Sequence, residues 1–217
     1  MYSLKLLVPR SISAFLLALA LVVPGAVVAQ DKDYTPTVGQ EGKDVIWVPT
    51  PQALVEKMLD MAKLTAKDIH YDLGSGDGRT VITAAKRGAQ AIGVEYNPDM
   101  VALSERAAAK EGVAGKAKFI QGDIFQTDFS NATVITLYLL PSLNLKLRPT
   151  LLTMKPGTRV VSHAFNMDDL QPDQTENVEG RTAYLRRRPQ GIPVEASPAV
   201  PEGRRRGRAR RPARTVA

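Results

Sequence analysis

The 217-residue chain has no cysteine, two histidines (His70 and His163) and a single tryptophan, Trp47. Without cysteine there are no disulfides, thiolate metal sites, redox dithiols or cysteine nucleophiles. Two histidines exclude a catalytic metal centre built on three imidazoles, and no metal is expected. Aromatic residues make up only 6% of the chain, against 44% hydrophobic and 24% charged residues in all. The core must therefore be largely aliphatic, and the bulk composition is that of a globular protein. The length suits one medium domain.

Positive charge is abundant but badly distributed. The formal charge is +7, yet residues 30–185 carry 17 Lys and Arg against 20 Asp and Glu. Residues 186–217 carry ten Arg against Glu195 and Glu202. The body is mildly acidic, which gives the folded domain no basis for binding nucleic acid.

Both ends read as separate from the fold. Residues 1–29 have a basic start (Lys5, Arg10), an apolar run from Ile12 to Val23, a Pro24-Gly25 break and small residues at Val27-Val28-Ala29. This is the layout of a cleaved secretory signal peptide. Cleavage would give an exported protein, periplasmic or secreted; an uncleaved segment would act as an N-terminal membrane anchor. Residues 30–46 read as a flexible lead-in. From Arg186 onward, Arg, Pro, Ala and Gly dominate, and the only larger aliphatic residues are Ile192, Val194, Val200 and Val216. Such a tail cannot offset its ordering entropy and is expected to be disordered. It reads as an arginine-rich arm, a solvated charge run or the product of a shifted reading frame. The abrupt change at Arg186 favours the last.

Between these ends, residues 47–185 alternate helix and strand. Thr50-Pro51 opens a helix, with Thr50 as its cap. Strands are expected at Ile69–Leu73, Ala91–Glu95, Lys116–Gln121, Ala132–Leu139 and Arg159–His163. Helices are expected from Thr80 to Arg87 before Gly88, from Pro98 to Glu111 before Gly112, and from Ser142 to Leu152. This alternation predicts an α/β fold: a parallel Rossmann-like sheet covered by helices on both faces.

In such sheets ligands bind beyond the carboxyl ends of the strands. The first strand ends in Asp72-Leu73-Gly74-Ser75-Gly76-Asp77-Gly78 and leads directly into a helix. The second ends in Glu95, which can accept hydrogen bonds from both hydroxyls of a ribose. After the third comes Gly122-Asp123-Ile124, where a carboxylate and an apolar neighbour suit an adenine. A dinucleotide fingerprint would place a G-x-G-x-x-G turn and a helix N-terminus on a pyrophosphate. Here the glycines are closer together, and Asp72 and Asp77 flank them. Carboxylates repel a pyrophosphate but suit the sulfonium and α-amino groups of S-adenosylmethionine. A dinucleotide-dependent oxidoreductase would instead bind NAD in competition with that cofactor.

The stretch from Trp47 to about Asp169 resembles a class I S-adenosylmethionine-dependent methyltransferase. It is similar in particular to small bacterial relatives of the FAM173-type protein-lysine methyltransferases. The matching segments are Val48-Pro49-Thr50-Pro51, Asp72 to Arg79, Ala84 to Ala89 and Gly93-Val94-Glu95-Tyr96-Asn97. The resemblance implies transfer of a methyl group to an amine, a protein lysine or a small molecule, by a protein expected to be monomeric. It places Asp72 and Gly74 at the methionine portion of the cofactor, Glu95 at the ribose and Asp123 with Ile124 at the adenine. Thr50 helps to close the site, and Ser75, Gly76, Asp77 and Tyr96 complete the cofactor set. The acceptor side falls to Leu137-Tyr138-Leu139-Leu140-Pro141, after the fourth strand. There the Tyr138 hydroxyl and the Leu140 carbonyl are candidates to orient the incoming amine, with Pro141 beside them; Tyr138 also reads as a packed strand residue. His70 and His163 read as structural. One departure stands out. Thr182–Leu185 looks like a sixth strand, and the tail offers no seventh, so the final hairpin is expected to be incomplete. A domain altered in this way would bind S-adenosylmethionine without catalysis, which is the alternative reading.

Overall fold

All the strands expected from the sequence form, and one further strand joins them. The computed structural model describes residues 34–167 and 170–188. The signal peptide or anchor, the start of the lead-in and the tail from Pro189 onward lie outside the described residues. A seven-stranded sheet has the order β3-β2-β1-β4-β5-β7-β6. Its parallel strands are β1 (Ile69–Leu73), β2 (Gln90–Glu95), β3 (Ala117–Gln121), β4 (Val134–Leu137) and β5 (Arg159–His163). β6 (Gln174–Val178) and β7 (Arg181–Arg187) are antiparallel. The winding direction reverses between β1 and β4, which opens a crevice at their carboxyl ends.

The final hairpin is therefore complete, contrary to the expectation from sequence. The missing strand precedes Thr182–Leu185 in the chain. Val178 pairs with Arg181 across a two-residue loop, in which Glu179 and Gly180 have φ of 53° and 77°. Positive φ at both positions matches the twist of a tight hairpin. β7 also continues through Arg186 and Arg187, which pair with Val160 and Arg159. The amide of Arg188 donates to the Thr158 carbonyl. The change in composition at Arg186 thus falls inside a strand.

Helices α1 (Gln52–Met61), α2 (Arg79–Lys86) and α3 (Pro98–Lys110) bury small and aliphatic side chains. Val55, Leu59, Val81, Ala84, Ala85 and Ala108 pack with Ala91 and Ala117 of the sheet. The alanines allow these helices to lie close to the strands. α4 (Pro141–Leu152) packs Leu147 and Leu151 against Leu73, Val94, Ile135 and Leu137. Leu54 and Met58 of α1 meet Val161, Ala183 and Leu185, which ties the terminal hairpin into the core. Among the described residues, no helix is long and apolar enough to cross a membrane.

Candidate active site

The carboxyl ends of β1, β2, β3 and β4 open into one cavity of about 750 Å³, within the range typical of small-molecule sites. Its floor is the turn after β1. Gly74, Gly76 and Gly78 have φ of 81°, 54° and 77°, a conformation that side-chain-bearing residues avoid. Gly76 also lies beneath a ring: a Cβ there would sit 2.6 Å from Nε1 of Trp47. Gly93 in β2 supports the same turn from behind. A Cβ at Gly93 would come within 2.6 Å of the Ser75 hydroxyl and 2.8 Å of the Phe119 ring. Its φ is not in the left-handed region, so Gly93→Ala tests packing alone. We expect the added methyl to cost about 1–3 kcal/mol of stability and to weaken ligand binding by displacing Ser75. A melting scan with a titration checks both, and unchanged values in each would show that the loop tolerates the methyl.

Asp72, next to last in β1, is almost fully buried. Burial, assisted by the negative charges of Asp77 and Glu95, pushes its carboxyl up to about 7, against opposing hydrogen bonds from Thr136 and Thr80. An anion held this dry has a strong tendency to take a cationic partner. Asp77 also lines the cavity, but its charge is already met: Arg79 Nη2 lies 2.5 Å away and Nε is 3.0 Å from both oxygens. Arg79 Nη1 donates to the Thr50 carbonyl at 3.1 Å. The attraction for a cation therefore rests on Asp72, and Asp77 serves to fasten the turn to the segment before α1.

Glu95 accepts hydrogen bonds from the amides of Gly76 (2.9 Å) and Asn97 (3.0 Å), one on each oxygen. A carboxylate has about four acceptor positions, so both oxygens retain capacity for a pair of hydroxyls. Asp123 accepts from the Phe125 amide at 2.9 Å and from Lys43 Nζ at 2.6 Å. Lys43 also stands 4.8 Å from the centre of the Tyr96 ring, and Ile124 lines the same end.

Lys43 belongs to the segment read as a flexible lead-in. Gln40 to Ile46 of that segment line the site. Gly39 and Trp47 amides bond to Trp47 and Gln40 carbonyls, and the Gly42 amide bonds to Val45. The tight turn so formed brings Gln40 to Thr50 along the cavity wall. Thr50 is not the cap of α1; Pro51 holds that position without a side-chain bond. The Thr50 hydroxyl lies 3.0 Å from Nδ1 of buried His163.

On the acceptor side, Tyr138 follows β4 and lines the cavity. Its ring centre is 3.8 Å from that of His163 and 6.4 Å from that of Phe165. Burial, with repulsion from Arg181, lowers His163 to about 4, so it packs as a neutral ring. Leu140 and Pro141 lead into α4. The Leu140 carbonyl accepts from the amides of Leu143 and Asn144 in the first turn of α4, so it is already engaged by the helix. Leu140 contributes its exposed side chain to the rim, while Pro141 is the first residue of α4.

The sequence singles out Asp72, Gly74, Ser75, Gly76, Asp77, Glu95, Tyr96, Asp123, Ile124, Thr50, Tyr138 and Leu140, and the fold brings all of them to one cavity. Trp47 and Arg79, from the segments that carry the resemblance, line the same cavity, and the fold adds Lys43 and Phe165. Lys43 had no signal beyond its place in a polar stretch.

The profile of the ANTKMT methyltransferase domain matches residues 72–174. A protein-lysine N-methyltransferase of Saccharolobus islandicus is 44% identical over 148 residues, 65% of this chain and 92% of its own. The chain belongs to the S-adenosylmethionine-dependent protein-lysine methyltransferase family. A human lysine N-methyltransferase of ATP synthase is 33% identical over 168 residues, 75% of this chain and 72% of its own. A Salinibacter ruber structure described as an RNA methyltransferase in complex with S-adenosyl-L-homocysteine is 49% identical, with a TM-score of 0.65. That match covers 69% of this chain and 99% of the Salinibacter protein.

The cavity suits the methyltransferase cofactor. Asp72 is a buried carboxylate aimed at a cavity with room for a cation, Glu95 keeps free acceptor capacity, and the glycine turn leaves no Cβ in the way. S-adenosylmethionine supplies a methyl group on a sulfonium, which leaves as a neutral thioether. The residues that would hold it are Asp72 and the turn from Gly74 to Gly76, then Glu95, and finally Asp123 with Ile124 and Tyr96.

Proposed function

We propose that this methyltransferase modifies the ε-amino group of lysine in a protein. The observation that carries the proposal is the 44% identity to a protein-lysine N-methyltransferase along 92% of its length. The rim of the cavity supports it. Ile46, Tyr96 and Leu140 are large apolar side chains exposed around the mouth, a surface better matched to a polypeptide than to phosphates. An RNA substrate would call for clustered Lys and Arg at the mouth; among the described residues the one lysine that lines the cavity, Lys43, is paired with Asp123.

Methyl transfer to an amine needs a neutral nucleophile held in line with the methyl group, so alignment and water exclusion dominate. Tyr138 is the residue we assign to orienting the amine, with its ring fixed against His163. Tyr138→Phe should leave cofactor affinity unchanged and lower turnover by about tenfold or more. Unchanged turnover would remove the hydroxyl from the reaction.

The test of the acceptor is to incubate the full chain with methyl-labelled S-adenosylmethionine and a mixed extract of bacterial protein and RNA. Label should survive nuclease, be lost to protease and appear as methylated lysine after acid hydrolysis. Label released by nuclease would replace the protein substrate with RNA. Export or anchoring through residues 1–29 is part of the proposal as well. Fractionation of expressing cells should find the protein in the periplasm, the medium or the membrane; a wholly cytosolic protein with Met1 intact would exclude it.

A further inference from the structure

His70 lies within β1, two residues before Asp72, and is fully buried. Its side chain is on the same side of the strand as Asp72, and the two meet through one hydroxyl. Nε2 of His70 is 2.8 Å from Oγ1 of Thr136 in β4, and that hydroxyl donates to Oδ1 of Asp72 at 2.6 Å. The other ring nitrogen, Nδ1, has no hydrogen-bond partner. Burial lowers His70 to about 3, so the ring is neutral and carries a single proton.

Counting protons fixes the direction of this chain. A threonine hydroxyl has one hydrogen. When it donates to the Asp72 carboxylate, the ring must donate to it, which puts the imidazole proton on Nε2 and leaves Nδ1 as a bare acceptor. In the reverse arrangement protonated Asp72 donates to Thr136, Thr136 donates to Nε2, and Nδ1 carries the proton. That state would bury an N–H with no acceptor, and buried unpaired donors are rarer than under-used acceptors. The lone unpaired nitrogen thus biases the whole chain toward the arrangement in which Asp72 is the acceptor.

We infer that His70 is a positioning residue that acts through Thr136 to hold Asp72 as an oriented, hydrogen-bond-accepting carboxylate facing the cofactor. This role rests on the reading of the cavity as an S-adenosylmethionine site. The charged groups facing Asp72 are Asp77 in the glycine turn and Glu95 at the end of β2, with hydroxyls from Thr80 in α2 and Thr136 in β4. Both neighbouring charges are negative and oppose ionisation, so the donor from Thr136 has consequences for ligand affinity. Asp68, the charge acting on His70, favours the protonated ring but is outweighed by burial.

Two measurements test the role. The chain has only two histidines, so a long-range proton–nitrogen correlation spectrum of the ring nitrogens of the unliganded full chain is readily assigned with a His163 variant. At about pH 8, His70 should be neutral with its proton on Nε2. A proton on Nδ1, or a charged ring, would overturn the inference without any appeal to ligand binding.

The second measurement is the pH profile of the S-adenosylmethionine dissociation constant. His70→Leu and Thr136→Val should each move its midpoint upward by about half to one unit, a threefold to tenfold weakening below the midpoint. Affinity well above the midpoint should be retained, and Thr136→Ser should restore the profile. The double variant should resemble Thr136→Val alone, because the two residues act in series. A His70 variant that melts earlier but keeps the wild-type midpoint would show a purely structural histidine. Failure of the wild-type chain to bind would instead remove the cofactor reading, and the tautomer experiment would still decide the arrangement of the chain.

Discussion

Asp72→Asn should make the protein more stable and unable to hold its cofactor. The wild-type carboxyl is raised to about 7 by burial, above its value in the unfolded chain. The folded state therefore retains the proton more tightly, and stability falls as pH rises between the two values. Asparagine removes that penalty while keeping the size and a hydrogen-bonding capacity for Thr136. At about pH 8 we expect a gain on the order of 5 °C in melting temperature, since each kcal/mol moves a domain of this size by about 2–4 °C. The gain should vanish at about pH 3, where both states of the wild-type chain are protonated. Affinity for S-adenosylmethionine should fall about a hundredfold, the cost of losing one buried charge partner worth about 3 kcal/mol. An Asn variant that is less stable at high pH, or that binds within threefold of wild type, would show that Asp72 is neither strained nor central.

Leu185→Ala should destabilise the domain strongly although it lies far from the glycine turn. Leu185 is fully buried in β7, in a cluster with Leu54, Met58, Val161 and Ala183. Truncating a leucine in such a site costs about 2–5 kcal/mol, which corresponds to a fall of about 5–15 °C in melting temperature. Arg187→Ala, at the edge of the same strand and exposed, should change melting by only a degree or two. Equal, small effects of both substitutions would mean that the terminal hairpin does not belong to the cooperative fold.

That hairpin marks the limit of what can be read from the chain. β1, β2, β4 and β5 are largely buried, and β2, β4 and β5 show as apolar or β-branched runs. β6 has the sequence Gln-Thr-Glu-Asn-Val and alternates between partly and fully exposed positions at the edge of the sheet. It carries no hydrophobic pattern because it has almost no burial, and its strand state is imposed by pairing with β7. Arg186 and Arg187 look like a disordered tail for a related reason. Their backbones pair with β5, while their side chains reach Gln171 or solvent.

The cofactor wall was legible because its chemistry is local. Asp72, Gly74 and Gly76 lie in one loop, and Glu95 and Asp123 each end or follow a strand. The acceptor side depends on contacts across long separations, such as Thr50 with His163, as does the Lys43–Asp123 pair at the adenine end, and no local pattern announces them. The Leu140 carbonyl illustrates the same limit from the other direction. Its place after β4 suggests an acceptor role, and its engagement by the first turn of α4 is visible only in the fold. From sequence His70 reads as structural, because a histidine inside a strand usually is. Its link to Asp72 through Thr136 appears only once β1 and β4 lie side by side in register, with Asp72 opposite Thr136.

The most direct test of the cofactor site is calorimetric titration of S-adenosylmethionine into the folded full chain, with NAD as competitor. Saturable binding of one cofactor per chain is expected, undisplaced by NAD and strongly weakened by Glu95→Ala. Absence of binding by a protein shown to be folded, or displacement of the cofactor by NAD, would contradict the assignment.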